Sequence, residues 1–407
     1  MPLHTLMFGW EYPPLHSGGL GVACQGLVKG LHQNGVQVTL VLPKGELAMH
    51  TENDADIRTI PESAACTIEI ASALQPYQGF AEYAANTNSL PQERSELYGP
   101  NLGEAVERYT ACSIALTRDV RADVVHSHDW MTFGAGKRAA QHHRIPFIAH
   151  VHATELDRTD FHPNPWIFER ERMGLQSADR VIAVSNYTKQ LLIEHYGIPA
   201  AKIVVVHNGH LSIHDSKPAQ IASGSAPKTP LVLFLGRLTI QKNPWQFLEV
   251  AHRIHRHMPD VLFVMAGDGP LLCELIARAA ELRLGDCMLF TGKVDRREVT
   301  ALYQRASCFV MPSLSEPFGL VALEAIASGV PVVLSKQSGA SEVIDHAFKV
   351  DFWDTEKMAD CILTILRERP LAMQLRSEAP RVLQRLTWAH QAHIVSELYS
   401  TLAHHGT

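Results

Sequence analysis

Short apolar runs alternate with helix-like stretches from one end of this chain to the other, and this alternation, interrupted once, limits the folds open to it more than any other feature. The runs TLMFGW, VTLVLP, ADVVHS, PFIAHV, DRVIAV and KIVVVHN come first. They show too little polar alternation to face water on one side, so they read as strands of a parallel sheet covered on both faces. Patterns suited to crossover helices lie between them, at 20–34, 101–118, 131–143 and 186–196, which makes right-handed βαβ units the expectation. Residues 212–230, SIHDSKPAQIASGSAPKTP, replace apolar residues with Ser, Pro, Ala and Lys and suit a linker. Beyond it PLVLFLGR, VLFVMAGDG, MLFTG, SCFVMP and PVVLS restart the alternation. Two doubly wound α/β domains facing a central cleft are therefore expected, the first over 1–211 and the second over 231–386. Residues 371–404 read as helix, and 387–407 are expected to cross back to the first domain.

Composition narrows the class. With 46% hydrophobic and 19% charged residues and no low-complexity tract, the 407-residue chain reads as globular and too long for one ordinary core. A formal charge of −6 argues against a large nucleic-acid footprint, although two or three placed cations suffice for a small anion. Cys24, Cys66, Cys112, Cys273, Cys287, Cys308 and Cys361 are widely spaced and form no Cys-x-x-Cys pair, so they read as core thiols in a reducing compartment. The opening MPLHTLMFGW has no basic region ahead of a long apolar one, and no run reaches the length of a membrane span. A cytoplasmic protein with no transmembrane segment and no nucleic-acid partner is the expectation.

In open α/β sheets ligands gather beyond the carboxyl ends of the strands. After the first run, GWEYPPLHSGGLGVACQGL puts Gly18, Gly19 and Gly21 at the opening of a helix, where backbone approaches a ligand closely and N–H groups point outward. A tight turn with no ligand accounts for the same glycines. The spacing is not Gly-x-Gly-x-x-Gly, and Lys44 rather than an acidic residue follows the second run, which disfavours a nicotinamide site. Further on, LGRLTIQKN sets Arg237 and Lys242 just beyond a strand, where an Arg fork and a Lys point charge together neutralise a diphosphate. Taken alone, basic residues at such a place are more often simply solvated. In CFVMPSLSEPFGL a strand ends, Pro317 and Gly319 shape a turn, and a helix begins at Leu320. Glu316 is then either a helix cap or a partner for ligand hydroxyls, while Glu324, about a turn into the helix, suits the hydroxyls of a ribose.

HSHDWMTFG and AHVHATELDR place His126, His128, His150 and His152 near strand ends, with Asp129 and Glu155 close by. Zinc is the sharp reading of such pairs. In a chain with 23 histidines the pairs also arise by chance, and Asp129 and His152 lining a ligand cleft is the preferred reading, with no metal. The Asp-x-Asp of NDAD at 53–56 follows no apolar strand and reads as a solvated loop rather than a manganese site.

Taken in order, Gly18-Gly19-Leu20, His128-Asp129-Trp130, VHATE with His152, VSNYTK, HNG at 207–209, GRLTIQK and Glu316-x7-Glu324 with Pro317, Phe318 and Gly319 resemble retaining glycosyltransferases of the GT-B fold. Family 4, with its bacterial and archaeal glycogen synthase relatives, is the group resembled, over residues 8–388. The resemblance implies two Rossmann-like domains and a nucleotide-sugar donor, UDP-glucose or ADP-glucose, with no further cofactor. It implies that Arg237 and Lys242 hold the diphosphate, Glu324 the ribose and Glu316 the sugar hydroxyls. It adds backbone contacts from Phe318, Gly319 and Leu320, and puts Lys293 and Val294 beside the base. From the first domain it implies Gly18 and Gly19 near the phosphates, His152 and Asp129 flanking the reacting sugar, and Asn208 facing the cleft. Where ADP-glucose-specific synthases carry Lys-x-Gly-Gly-Leu, this chain has His16-Ser17-Gly18-Gly19-Leu20; where Gly-Gly-x-x-Glu is usual, it has Ser338-Gly339-Ala340-Ser341-Glu342.

The activity so implied is metal-independent transfer of a hexosyl unit, glucose by preference, to a hydroxyl of an α-glucan with retention. Transfer to a small sugar, a sugar phosphate or a lipid, and nucleotide-sugar 2-epimerisation on the same fold, are the alternatives.

Overall fold

The computed structural model describes residues 2–12, 19–44, 57–59, 65–71, 102–210 and 229–405. Gly18, the Asp-x-Asp at 53–56 and the linker reading up to residue 228 lie outside the described residues. The chain forms two compact units. One comprises Met1–Leu156, His162–Gly209 and Trp388–Thr407; the other comprises Asp157–Phe161 and His210–Thr387. The expected first domain, 1–211, is thus not contiguous, because the segment Asp157–Phe161 goes with the second unit.

The first unit holds a sheet of β1 (His4–Phe8), β2 (Gln37–Lys44), β3 (Ile57–Thr59), β4 (Ala65–Ala71), β5 (Val124–His128), β6 (Phe147–Val151), β7 (Arg180–Ala183) and β8 (Ile203–Val205). Its order is β3-β4-β2-β1-β5-β6-β7-β8, and only the β3–β4 pair is antiparallel. Every residue of β5 and β6 is buried, as strands covered by helices on both faces require. The second unit holds β9 (Leu231–Leu235), β10 (Leu262–Ala266), β11 (Met288–Gly292), β12 (Cys308–Met311), β13 (Val332–Ser335) and β14 (Phe348–Val350), all parallel, in the order β11-β10-β9-β12-β13-β14. Its core forms because helices such as Pro244–His257 carry Phe247, Leu248, Val250, Ala251 and Ile254 at helical spacing onto Phe263 and Phe234. Strand order reverses between β1 and β5 and between β9 and β12, so the segments that leave these strands flank the crevices where such sheets take ligands.

The stretch 371–404 is helical as expected, in two helices that meet at Leu386–Thr387. Helix Arg369–Arg385 ends there and helix Trp388–His405 begins. The interruption is tertiary: the His210 backbone N–H donates to Leu386 O at 2.7 Å and His210 bridges Thr387, in the second unit. Trp388–His405 then packs in the first unit against Gly19–Gln33. Contact is backbone-close because a Cβ at Gly26 would lie 2.2 Å from the Trp388 indole, and one at Gly30 2.5 Å from Trp388 O. Gly26→Ala should accordingly cost the first unit about 1–3 kcal/mol, read as a lowered melting transition in calorimetry. Gly285→Ala, whose Cβ would meet nothing within 4 Å, is the control; equal melting of the two variants would show that the indole moves aside freely.

Among the described residues no helix is long and apolar enough to cross a membrane.

Candidate active site

In the second unit three segments are laced together where β9, β12 and β13 end. The turn after β9 carries Arg237, half-buried, and runs into the short helical turn Ile240–Lys242. The segment after β12 meets it through Leu314 N–H to Gln241 O at 3.0 Å, Gln241 Nε2 to Ser315 O at 3.1 Å and Asn243 Nδ2 to Pro312 O at 3.1 Å. The segment after β13 joins through Glu316 N–H to Gln337 O at 2.9 Å, Gly339 N–H to Glu316 O at 3.0 Å and Ala340 N–H to Phe318 O at 2.6 Å. Residues far apart in sequence thereby share one rigid frame.

Within that frame Glu316 is not a helix cap. Helix Leu320–Ala327 is preceded by Gly319, in the left-handed region at φ 102°, and no side chain caps it. Glu316 instead is only 5% exposed, accepts from Ser313 Oγ at 3.1 Å and pairs with Lys242 Nζ at 2.5 Å. Two residues that the sequence assigns separately, one to sugar and one to phosphate, are thus partners. Phe318 is buried and Leu320 half-buried at the start of the helix. Glu324 is exposed on that helix, with the Tyr303 hydroxyl 3.4 Å from its carboxylate. Lys293 is exposed and Val294 half-buried in the turn after β11. Ser315 donates to the carboxylate of Asp157, an interaction no sequence pattern announces, because it rests on the segment that joins this unit from within the first half of the chain.

In the first unit Gly19 opens helix Gly19–Gln33, and the Gly21 N–H is already taken by the carboxylate of Glu11 at 2.8 Å. Glu11, fully buried, is absent from the residues that sequence reasoning selects; its one signal is its place just after the first run. Asp129 does not line a surface either. It is 1% exposed, and its Oδ1 accepts from the His152 N–H at 2.7 Å and the Ala153 N–H at 3.4 Å. Its φ of 57° is uncommon for a residue other than glycine and lets one carboxylate pin the turn that presents His152. Asp129, expected to line the cleft, is thus buried, with its carboxylate bonded to the backbone of the turn that carries His152. Asn208 is buried ahead of Gly209.

The two His-x-His pairs form one stack. Alternation along β5 and β6 brings the four rings to the same face, with centroids 4.5 Å apart for His126–His128 and 4.2 Å for His150–His152. His126 Nε2 lies 3.1 Å from His150 Nδ1, His128 Nδ1 lies 2.9 Å from His152 Nε2, and His126 Nδ1 bonds the Tyr399 hydroxyl. Burial lowers the pKa of His128 to about 3. Burial first, then the neighbouring imidazoles, pushes His126, His150 and His152 well below the usual value. All four rings are therefore neutral at pH 7. Cys24, His128 and His152, and separately His126, His128 and His150, bring potential metal-ligand atoms within 4.8 Å of one another.

Known proteins supply the last finding. The profile described as glycosyl transferases group 1 matches residues 216–382, and that of glycosyltransferase family 4 matches residues 17–210. A glycogen synthase of Mycobacterium tuberculosis is 30% identical over 420 residues, covering 98% of this chain and 94% of its own. In fold the chain is similar to sucrose-phosphate synthase from Thermosynechococcus elongatus, at TM-score 0.75 and 20% identity over 98% of this chain and 99% of that one. The catalytic domain of starch synthase IV from Arabidopsis thaliana, bound to ADP and acarbose, gives TM-score 0.71 and 17% identity over 99% of this chain and 100% of that one. Two Rossmann-like sheets, the ordered motifs on their strand ends and this kinship together make the chain a member of the family 4 glycosyltransferases of the GT-B fold, and an enzyme of that class.

Proposed function

We propose that the enzyme transfers a glucosyl unit from a nucleoside diphosphate glucose, UDP- or ADP-linked, to a hydroxyl of an α-glucan, retaining anomeric configuration and needing no metal. The observation that carries this reading is the Lys242–Glu316 pair held at the strand ends, where Lys242 follows the turn that carries Arg237 and Glu316 precedes helix Leu320–Ala327. As the glycosidic bond breaks, negative charge gathers on the diphosphate and positive character on the anomeric carbon. Lys242 and Arg237 are the cations assigned to the departing oxygens, and the N–H groups opening the helix add to them. When Lys242 turns to phosphate, the Glu316 carboxylate is released to accept from sugar hydroxyls. Glu324 is assigned to the ribose, and Lys293 and Val294 to the base. Asn208, Gly18 and Gly19 keep the contacts that the resemblance implies.

The first unit's part is His152, a neutral imidazole suited to a substrate hydroxyl and set by Asp129. The acceptor hydroxyl attacks on the face that the diphosphate leaves, and its proton passes to the departing phosphate. The glycogen synthase relative and the starch synthase neighbour support glucose and glucan.

Offering UDP-, ADP- and GDP-glucose with and without glycogen or maltooligosaccharides, and weighing the products, tests the reading. A lengthened glucan whose formation survives EDTA is expected. A product altered only in the sugar nucleotide would make the enzyme an epimerase, and a strict metal requirement would remove the cation assignment above.

A further inference from the structure

We propose that Cys24, His128 and His152 form a buried site for a divalent cation of the zinc class. Three separate segments deliver the ligands: the inner face of helix Gly19–Gln33, the end of β5 and the turn after β6. One ligand atom from each lies within 4.8 Å of the others, and all three residues are buried. A tetrahedral zinc with bonds of about 2.0–2.3 Å needs N and S ligands roughly 3.3–3.6 Å apart, so these three draw together from within 4.8 Å to supply three of its four positions.

The surroundings suit a cation. The carboxylates of Glu11 and Asp129 lie close enough to the thiol to add to the burial that holds its pKa well above the usual value. The same negative charge stabilises a bound cation, which takes the place of the thiol proton; a ring that ligates keeps its one proton on its other nitrogen. Hydrogen bonding leaves His128 Nε2 and His152 Nδ1 buried with no partner among the described residues, so the protein alone does not satisfy either ring. The all-imidazole group of His126, His128 and His150 is the weaker candidate, because both nitrogens of His126 are already committed, to Tyr399 and to His150.

Occupation would engage His152 and stop transfer. That consequence rests on the function proposed above; the site itself does not. The test is a titration of the EDTA-treated, dialysed full chain with Co²⁺, read as thiolate-to-cobalt charge transfer and reversed by Zn²⁺. About one equivalent should bind, the band should vanish in Cys24→Ser, and His128→Gln should weaken binding about tenfold or more. Cys24→Ala reads the same arm if the serine variant folds poorly. In parallel, Zn²⁺ should inhibit glucosyl transfer by the wild type and not by Cys24→Ser. No uptake of cobalt, or a band that persists without Cys24, overturns the site whatever the enzyme's activity proves to be; equal inhibition of both proteins would overturn the engagement of His152.

Discussion

Arg237→Ala should lower kcat about 10²- to 10³-fold while the melting transition of the second unit stays in place. The size follows from the role assigned to the guanidinium, since removing one preorganised donor aimed at developing charge typically costs about 2.7–4 kcal/mol of transition-state stabilisation. That the fold survives follows from how the residue is held. Gly236 N–H donates to Ala266 O at 3.0 Å and Leu238 N–H to Asp268 O at 2.9 Å, so backbone bonds on either side of Arg237 hold the turn without its side chain. A Cβ at Gly267 would lie 1.9 Å from Gly236 O, which shows how closely the two turns are fitted. Arg237→Lys separates charge from shape, since it keeps a cation and loses the planar fork. It should fall between wild type and alanine. Near-normal turnover by a folded Arg237→Ala enzyme would take the residue out of the mechanism.

The frame is legible in the sequence to the extent that strands are buried on both faces. β5, β6, β9, β10 and β12 stand where the apolar runs lie, because strands covered on both faces are mostly apolar, although β5 ends in His126, Ser127 and His128 and β6 carries His150. β14 has no such signal: Phe348–Val350 is three residues with a lysine at its centre, stable only as an edge strand on β13. β3 and β4 likewise lie outside the apolar runs. The end of helix Arg369–Arg385 carries no glycine or proline signal, since His210 from a distant segment supplies the stop. The site divides along the same line. Residue types at strand ends are local and can be read, as with Arg237, Lys242 and Glu316. Their partnerships are not local: nothing near Asp129 announces that it pins His152, nor does anything near Lys242 announce Glu316. The glycines of helix Gly19–Gln33 read as a ligand turn at one end, whereas Gly26 and Gly30 serve the docking of Trp388.

Glu316→Ala should lower kcat/KM for the nucleotide sugar about 10²-fold, near 2.7 kcal/mol, yet leave the bare nucleoside diphosphate bound at least as tightly as before. The two halves of this expectation have one origin. In the wild type Lys242 is held at 2.5 Å by a carboxylate that is itself buried, so a phosphate must compete with Glu316 for the ammonium. Deleting the carboxylate frees that cation for phosphate and at the same time removes the acceptor assigned to the sugar. A group that merely shaped the loop would weaken both ligands together. Because Lys242 and Glu316 touch, their effects should not add: the double variant Lys242→Ala/Glu316→Ala should differ from the sum of the singles by about 0.5–3 kcal/mol. Calorimetric titration with UDP and ADP, set beside donor kinetics for the two singles and the double, measures all of this. Parallel loss of nucleotide binding and turnover in Glu316→Ala would assign the pair to structure, and unchanged donor kinetics would leave Glu316 no part in holding the sugar.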